Sequence, residues 1–277
     1  MAKIHPSAVV QEDAELADDV VIGPNCVIAA GASIGPGTVL DANVVIENNV
    51  KIGKNNRFFS NSVIGAWPQV LGLTEESEIG GLVIGDRNIL HEQVTIHSSM
   101  HGGQLTRIGN DNFLMVGVHI GHDCTLEDKI VMSNCAQVSG HCKIETGVWL
   151  SGVVGMHQFV TLGKWCYVAG LAGINKDIPP FMTVSGHYPP VIRGVNKRGM
   201  QRAGLSQEQQ ERILEAYRRL YRQGGALLEN AIAMAQEDSA VRCARPSLAG
   251  DENVKAIIDA IKRSSQHRYG RYLETFR

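Results

Sequence analysis

The 277-residue sequence has few aromatic residues, no excess of charge of one sign and no long hydrophobic run. Aromatic residues make up 5% of the chain, so large rings do not fill the core of the protein. The formal net charge of −2 excludes a nucleic-acid binder that depends on bulk positive charge. No stretch approaches the roughly 18 consecutive apolar residues of a membrane-spanning helix, so we expect no membrane span.

The cysteines form neither a disulfide framework nor a CxxC metal motif. They are spread along the chain without a close pair, so we expect reduced thiols and a cytoplasmic protein. No apolar signal region accompanies the first residues, Met-Ala-Lys-Ile-His-Pro, which agrees with that location. The six positions are Cys26, Cys124, Cys135, Cys142, Cys166 and Cys243.

The strongest pattern in the sequence is an apolar residue at every sixth position. The register runs without a miss from 4 to 64, resumes from 84 to 96 and continues from 108 to 174. A period of six fits neither a helix nor an alternating strand, and is typical of a short strand followed by a turn. We expect one inward aliphatic side chain per repeat, followed by a glycine, such as Gly23 or Gly35, that supplies a permissive backbone at the corner.

Stacked repeats of this kind predict a mainly β protein, a hexapeptide-repeat parallel β-helix with about 18 residues per coil. Adjacent coils are expected to lie about 4.8 Å apart. Two segments, 65–83 and 97–107, interrupt the pattern and are predicted to leave the solenoid as loops. Long excursions from a regular scaffold often carry binding residues, so we expect substrate contacts there.

The repeat ends after position 174, and we expect residues 178–180 (Ile-Pro-Pro) to close the solenoid. The pattern then becomes helical, which predicts a C-terminal α-helical domain. We therefore divide the chain into a catalytic β-helix domain, 1–190, and a helical domain, 191–277.

Capping signals mark the predicted helices of the second domain. Ser206 and Gln209 form a capping box, and the helix that they begin is expected to end at the Gly224-Gly225 pair. Further helices are predicted over roughly 226–237 and from near Asp251, where an apolar stripe follows an acidic cap.

Histidine is the residue type that suggests chemistry. The chain has ten, and four lie in the regular part of the solenoid: His119, His122, His141 and His157. Because three repeats of six make one coil, His122 is expected beside position 140 of the next coil, and hence beside His141. At least three of these imidazoles should therefore lie near one edge of the prism.

Three interpretations of this cluster remain open from the residues alone. It is a solvated polar edge, a zinc site, or a general base with a supporting carboxylate. The pair His122-Asp123 supplies both groups of the third interpretation. No serine or cysteine stands in a nucleophile-elbow motif, so direct attack by a substrate hydroxyl is the simplest reaction.

Five short motifs carry a family resemblance from the first repeats to the final helices. They are His119-Ile120-Gly121-His122-Asp123-Cys124, Gly140-His141, His157-Gln158-Phe159, Asp177-Ile178-Pro179-Pro180 and Gly194-Val195-Asn196. Together they resemble the acyl-[acyl-carrier-protein]–UDP-N-acetylglucosamine O-acyltransferases of lipid A biosynthesis. The resemblance implies a left-handed β-helix and a homotrimer with active sites between subunits, although parallel crossovers are ordinarily right-handed.

The resemblance also implies the reaction. A 3-hydroxyacyl chain would pass from acyl carrier protein to the 3-hydroxyl of UDP-N-acetylglucosamine, without metal or other cofactor. His122 would be the general base, Asp123 would orient it and stabilise the imidazolium, and the N–H of Gly140 would bind the oxyanion.

Further residues are assigned to the substrates by the same resemblance. Gly170 would limit acyl-chain length, because a residue without a side chain leaves room for a longer chain. The residues that would contact substrate are Gln69, His119, His141, His157, Gln158, Asn196 and Arg202.

The first loop departs from the family pattern, which leaves the acceptor sugar open. It reads Pro68-Gln69-Val70-Leu71-Gly72, where the family commonly has a carboxylate and a lysine after the glutamine. An N-acyltransferase acting on a 3-amino sugar nucleotide is therefore one alternative. A trimeric zinc hydratase of the carbonic-anhydrase type is another, and a non-catalytic scaffold is a third.

Overall fold

The computed structural model describes residues 1–237 and 248–276, so Cys243 lies outside the described residues. Short strands, numbered β1 to β28, form three long sheets, and every strand pair except β27–β28 is parallel. The sheets wind as a left-handed parallel β-helix followed by helices, which confirms the predicted fold class. None of the described helices has the length and apolar character needed to cross a membrane.

The first sheet, sheet A, extends further than the sequence predicted. Its penultimate strand pairs in parallel, Tyr167 with Thr183, so the solenoid does not close at residues 178–180. The last strand then turns back and pairs antiparallel. The strands are β1 (Lys3–Ile4), β4 (Val21–Ile22), β7 (Val39–Leu40), β10 (Arg57–Phe58), β13 (Ile89–Leu90), β16 (Phe113–Leu114), β19 (Val131–Met132), β22 (Trp149–Leu150), β25 (Tyr167–Val168), β27 (Met182–Ser185) and β28 (Val191–Val195).

The second sheet, sheet B, carries His119 on its outer face. Its strands pair in parallel, as in Val27 with Val45, which occupies the equivalent position in the next coil. They are β2 (Val9–Val10), β5 (Val27–Ile28), β8 (Val45–Ile46), β11 (Val63–Ala66), β14 (Thr95–His97), β17 (His119–Ile120), β20 (Gln137–Val138), β23 (Gly155–Met156) and β26 (Gly173–Ile174).

The third sheet, sheet C, adjoins both loop excursions. The first loop, 67–80, enters it at Gly81, and the second, 98–104, enters it at Leu105. The strands are β3 (Glu15–Leu16), β6 (Ser33–Ile34), β9 (Val50–Ile52), β12 (Gly81–Ile84), β15 (Leu105–Ile108), β18 (Thr125–Leu126), β21 (Lys143–Ile144) and β24 (Thr161–Leu162).

From Val20 onward the repeats bury two side chains each, whereas one was predicted. The second lies two positions before the predicted aliphatic residue, as Ala32 does before Ile34, and it is small in most repeats, with Leu82 and Ile130 as exceptions. Four of the cysteines occupy such positions and are buried free thiols, which accounts for their scatter along the chain: Cys26, Cys124, Cys142 and Cys166.

The glycine that follows the inward residue has a different role from the one predicted. Gly35 does not have the left-handed backbone conformation, but a Cβ there would lie 2.6 Å from the carbonyl oxygen of Gly53 on the next coil. Glycine is needed because adjacent coils approach closely at this point. The left-handed residues lie further along each turn, and Asp123, His141 and Phe159 are three of them.

A buried polar ladder crosses the levels at which the two loops leave the solenoid. Thr38, Asn56, Asn88 and Asn112 occupy the small inward position of successive coils. Asn56 Oδ1 accepts from Asn88 N and Nδ2, and Asn88 Oδ1 accepts from Asn112 N at 2.9 Å. These steps span 32 residues from Asn56 to Asn88 and 24 from Asn88 to Asn112, because the loops are inserted there. The asparagines thus lie in the coils of unequal length.

The helical segment contains one helix that was not predicted. Helix α1 is only six residues long, and Asn196 caps it by accepting from Gly199 N at 3.0 Å. The capping box of Ser206 and Gln209 is present at the start of α2, as predicted. The helices are α1 (Lys197–Arg202), α2 (Gln207–Tyr221), α3 (Leu227–Glu237) and α4 (Glu252–Ser264), with 3-10 turns at Leu248–Gly250 and Tyr272–Phe276.

Helix α2 ends earlier than the sequence predicted. It stops at Tyr221, and the Gly224-Gly225 pair lies in the connection to α3 with both residues in the left-handed conformation. Asn230 Nδ2 donates to the carbonyls of Leu220 and Gly224, so a side chain from α3 satisfies the end of α2. The start of α4 agrees with the prediction, because Asp251 is its N-cap.

Candidate active site

The candidate site lies at the corner between sheets B and C, where three successive coils stack. His122, Gly140 and Gln158 occupy equivalent positions of these coils, one above the other. Backbone hydrogen bonds hold the stack, since His141 N donates to His122 O at 2.9 Å and Phe159 N donates to Gly140 O at 3.2 Å. The coil period of the solenoid therefore brings together residues that are distant in sequence.

His122 and Asp123 form a hydrogen-bonded dyad. His122 Nδ1 lies 2.8 Å from Asp123 Oδ2, and both side chains are more than 90% buried. The carboxylate can only accept, so Nδ1 carries the proton and donates it. The other ring nitrogen, Nε2, is consequently the basic atom, which is the tautomer required for removing a proton from a substrate hydroxyl.

The second loop holds Asp123 in its charged form. Burial alone raises the pKa of this carboxyl, but hydrogen bonds from His122, Ser99 Oγ and Met100 N outweigh it and lower the net pKa. Asp123 N also donates to Thr106 Oγ1 at 2.8 Å, which fixes the turn. The dyad is therefore built from the solenoid corner and the loop together.

Gly140 is packed against the ring of His122. A Cβ at this position would lie 2.5 Å from His122 Cε1 and 2.6 Å from Nε2, so no other residue fits there without moving the imidazole. The Gly140 N–H makes no hydrogen bond within the described residues. A backbone donor beside the basic nitrogen is suited to binding an oxyanion.

A cavity of about 140 Å³ opens on one side of the dyad, between the first loop and sheet B. Burial and the neighbouring His97 and His122 rings lower the pKa of His119 to about 4. Burial also lowers the pKa of His97, whose Nδ1 lies 2.5 Å from the Trp67 carbonyl. Both imidazoles are neutral near pH 7 and can bind hydroxyl groups. The lining residues are Gln69, His97, His119, Gly121, His122, Ser139, Gly140 and Gln158.

A larger cavity of about 510 Å³ opens on the other side of His122. The His141 ring stacks flat on Phe159, with centroids 4.6 Å apart, and meets the His122 ring edge-on at 4.9 Å. Val70 of the first loop, Gln158 and Phe276 also border this space. Within the described residues, one group could hold a metal ion, and it consists of His101, Asp123 and His141.

Four of the predicted site residues lie away from both the dyad and these two cavities. His157 is exposed at the corner, and its Nδ1 lies 3.1 Å from the Gln158 carbonyl oxygen. Asn196 is occupied in capping α1 and donates to Trp165 O at 2.8 Å. Arg202 lies over the rings of Trp149, on sheet A, and Trp165, in the turn before β25. Gly170 is exposed at the corner between sheets A and B.

His97, Ser99 and Met100 belong to the site but were not predicted from the sequence. Each depends on the path of a loop, and the repeat carries no information about that path. A signal for His97 was present, since it directly follows the inward Ile96 at the start of an excursion. The hydrogen bonds from Ser99 and Met100 to Asp123 had no such signal.

Comparison with protein-family models identifies both parts of the chain. Residues 177–270 match the second domain of the UDP-N-acetylglucosamine O-acyltransferase family. Residues 1–35 and 31–66 match the bacterial transferase hexapeptide repeat.

Curated relatives named acyl-[acyl-carrier-protein]–UDP-N-acetylglucosamine O-acyltransferase are similar to this chain, two of them over 86% of it or more. The protein from Janthinobacterium sp. is 45% identical over 86% of this chain and 90% of its own length. The protein from Leptothrix cholodnii is 44% identical over 94% and 97%. The match to the protein from Gloeothece citriformis, at 39% identity, spans 59% of that protein's length.

Solved structures agree with these relatives. The Francisella novicida UDP-N-acetylglucosamine acyltransferase has a TM-score of 0.85 and 35% identity, over 94% of this chain and 91% of that one. These findings do not favour the N-acyltransferase or zinc-hydratase alternatives. They confirm the resemblance carried by the histidine motifs, and the chain belongs to the acyl-[acyl-carrier-protein]–UDP-N-acetylglucosamine O-acyltransferase family.

Proposed function

We propose that this protein transfers a 3-hydroxyacyl chain from acyl carrier protein to the 3-hydroxyl of UDP-N-acetylglucosamine, the first step of lipid A biosynthesis. The observation that carries the proposal is the buried His122–Asp123 dyad with the Gly140 N–H beside it. A base, its orienting carboxylate and an oxyanion donor are the groups that acyl transfer to a hydroxyl requires.

The chemistry follows from the tautomer of His122. Nε2 removes the proton of the sugar hydroxyl while the oxygen attacks the thioester carbonyl carbon. The carbonyl oxygen becomes an oxyanion, which accepts from the Gly140 N–H. When the intermediate collapses, the C–S bond breaks, the thiolate takes the proton from the imidazolium and the ester is formed. Asp123, held ionised by its donors, stabilises the imidazolium in between.

The cavity beside sheet B is the proposed acceptor site. Neutral His97 and His119 can donate or accept hydrogen bonds, and Gln69 and Gln158 add amide groups, so the lining suits a sugar rich in hydroxyls. Val70 lines the opposite cavity in place of a carboxylate. The direct acceptor contacts thus come from histidine and glutamine.

The outer faces of the three sheets support a homotrimer. Outward residues are polar along sheet C apart from Val83, whereas they are mostly apolar along sheet A and along the first four strands of sheet B, so two of three faces suit burial against other copies. Outward residues of sheets A and B include Val21, Val39, Ile89, Phe113, Val131, Val9, Val27, Val45 and Val63, and those of sheet C include Glu15, Ser33, Lys51, Arg107, Thr125 and Lys143.

A trimer would also account for the residues that lie away from the dyad. Arg202 and Asn196 adjoin sheet A, whereas His119 faces outward from sheet B. If sheet A of one copy packs against sheet B of the next, Arg202 approaches the neighbouring acceptor site, where a guanidinium suits the nucleotide phosphates. In the same trimer, His157 would contact substrate and Gly170 would limit the length of the acyl chain.

The proposed location is the cytoplasm. The described cysteines are free, and four of them are buried in the solenoid core. Unpaired thiols of this kind are typical of a reducing compartment.

The experiment that tests the function is mass spectrometry of the products formed from 3-hydroxyacyl carrier proteins. The reaction contains equal amounts of UDP-N-acetylglucosamine and its 3-amino analogue. We expect an ester of the first, lost in His122→Ala and retained in His5→Ala, which alters an exposed histidine outside the site. Circular dichroism checks that both variants are folded. An amide product, or full turnover by His122→Ala, would contradict the proposal.

A further inference from the structure

Three side chains around the dyad can converge on one cation. His101, Asp123 and His141 each place a ligand atom within 4.8 Å of the other two. Two imidazoles and a carboxylate are a common ligand set for zinc, which leaves a fourth position for water. We propose that this group binds a divalent transition-metal ion such as Zn²⁺, and that the bound ion inhibits the enzyme reversibly.

Asp123 retains the capacity to bind a cation. A carboxylate offers about four lone-pair positions. Three are used by His122 Nδ1, Ser99 Oγ and Met100 N, which leaves one.

His141 is a fixed ligand. Its ring is held flat against Phe159, with an interplanar angle of 2°, and its edge abuts the His122 ring. Its backbone is also in the left-handed conformation, with φ at 61°. The ring therefore stays beside Asp123 whether or not an ion is bound, which reduces the entropy lost on binding.

His101 is the adjustable ligand. It is exposed in the second loop, and its ring centroid lies 6.2 Å from that of His141. Its backbone N–H donates to Ser99 Oγ at 3.1 Å, and Ser99 donates in turn to Asp123, so the loop backbone is tied to the carboxylate. Zn–N bonds of about 2.0 Å need ligand atoms roughly 3.4 Å apart, and rotation of the exposed His101 side chain supplies that closure.

The ligand chemistry selects the class of ion. Imidazole favours Zn²⁺, Ni²⁺ and Cu²⁺, whereas Mg²⁺ and Ca²⁺ prefer sets made of oxygen atoms. The exposed position of His101 means that the ion can enter from solvent without opening the fold. We therefore expect transition-metal binding without competition from millimolar magnesium.

An ion at this position opposes catalysis. It would draw on the charge of Asp123 that stabilises protonated His122, and it would occupy the cavity bordered by His122 and His141. This differs from a zinc hydratase, in which the metal activates the attacking water. The inhibition rests on the proposed function, whereas the binding does not.

Calorimetric titration of the full-length protein without an affinity tag tests the binding. With ZnCl₂ we expect one ion per chain at micromolar affinity, and with MgCl₂ no binding. His101→Gln should weaken zinc binding about tenfold or more, because one ligand is lost. His5→Gln, which changes an exposed histidine outside the group, should bind like the wild type. Equal zinc affinity in His101→Gln and the wild type, or no zinc binding, would overturn the proposal.

Initial rates of acyl transfer test the inhibition, each variant being compared with its own metal-free rate. Zinc should inhibit the wild type, EDTA should restore the rate, and the inhibitory concentration should rise about tenfold in His101→Gln. Zinc bound by calorimetry with an unchanged rate would overturn the inhibitory role. A protein that binds zinc but transfers no acyl chain in its absence would count against the proposed function while leaving the metal site supported.

Discussion

At the scale of single residues, the proposed chemistry depends on contacts between coils and loops. His122 is held by Asp123 on one side and packs against Gly140, one coil away, on the other. These two contacts fix the position of the basic nitrogen, because the ring cannot move without breaking one of them or clashing with the other. Small changes at either neighbour should act on turnover more than on the fold.

Gly140→Ala tests this contact. The added methyl group overlaps the His122 ring, so we expect kcat to fall by about 100-fold as the base is displaced. Gly155→Ala is the matched control, because a Cβ there meets nothing of its own chain within 4 Å and its backbone is not left-handed, and light scattering checks that this variant keeps the mass of the wild type. Steady-state kinetics provide the readout, and equal kcat values for the two variants would contradict the prediction.

The residues of the dyad could be predicted from the sequence because they are adjacent and belong to regular coils. The coil period also brought Gly140 and His141 beside His122. Ser99 could not be placed, since it lies in a loop whose path depends on contacts with Asp123 itself. Residue identity alone gave no indication that His97 and His119 are held neutral, because burial causes their pKa shifts.

At the scale of the elements, each strand gains its stability from the coils above and below it. Ile46 is fully buried between two coils, whereas Ile4 occupies the same repeat position in the first coil and is 44% exposed. The first coil lacks a lower neighbour, so the apolar repeat alone overestimates burial at the end of the stack. Comparing the same substitution at these two positions therefore measures how much coil stacking contributes to the free energy of unfolding.

Ile46→Ala should reduce the free energy of unfolding by about 2–5 kcal/mol, because it leaves a cavity between two coils. Ile4→Ala should cost less than about 1 kcal/mol, since its side chain is already in contact with solvent. Urea unfolding followed by circular dichroism measures both. Similar costs for the two variants would show that stacking does not control core stability.

Asp177 joins the end of the solenoid to the C-terminal segment. Its carboxylate accepts from Thr161 N at 2.8 Å and from Tyr272 N at 2.9 Å. Burial raises its pKa to about 6, although both backbone donors oppose that shift. A folded-state pKa above the unfolded value of 3.8 favours the protonated form. The stability that this group contributes is full below about pH 4 and is lost as the pH rises through 6.

Asp177→Asn tests this dependence, because the amide stays neutral at every pH. Between pH 4.5 and pH 7.5 the free energy of unfolding of the wild type should fall relative to that of the variant. The variant also lacks one hydrogen bond at every pH, because its amide has a single oxygen and cannot accept from both backbone donors. Urea unfolding at the two pH values gives the difference. A constant gap between the proteins would show that Asp177 titrates equally in the folded and unfolded states.

At the scale of the whole molecule, the period of six was enough to predict the solenoid and most of its core. It could not predict its hand, because both hands bury the same side chains. The extension by β27 and β28 was missed since Met182 and Val184 follow no six-residue step from Ile174. The period could not predict association between copies either, because association depends on the outward residues and the repeat specifies only the inward ones.

A single lysine on an outer face tests the proposed trimer. Light scattering should give a mass of about 90 kDa for the wild type, three times the 30.0 kDa of one chain. Val131→Lys on sheet A should shift the protein toward monomer, because a buried charge has no partner there. Ser33→Lys on sheet C is the control and should remain trimeric, since Ser33 pairs with Glu15 on the neighbouring strand. A wild type with the mass of a single chain would exclude the trimer.

The buried polar ladder also helps the molecule to avoid misassembly. Coils with near-identical aliphatic cores could pair one level out of step, within one chain or between two chains, at little cost. Asn56 and Asn88 make that error costly, because either side chain placed against an aliphatic neighbour would bury unpaired polar groups at about 1–3 kcal/mol each. These asparagines lie in the coils that differ in length, where a shift of one level would misplace both loops. A few polar residues thus give a repetitive chain a single correct alignment, and with it protection from exchange between copies.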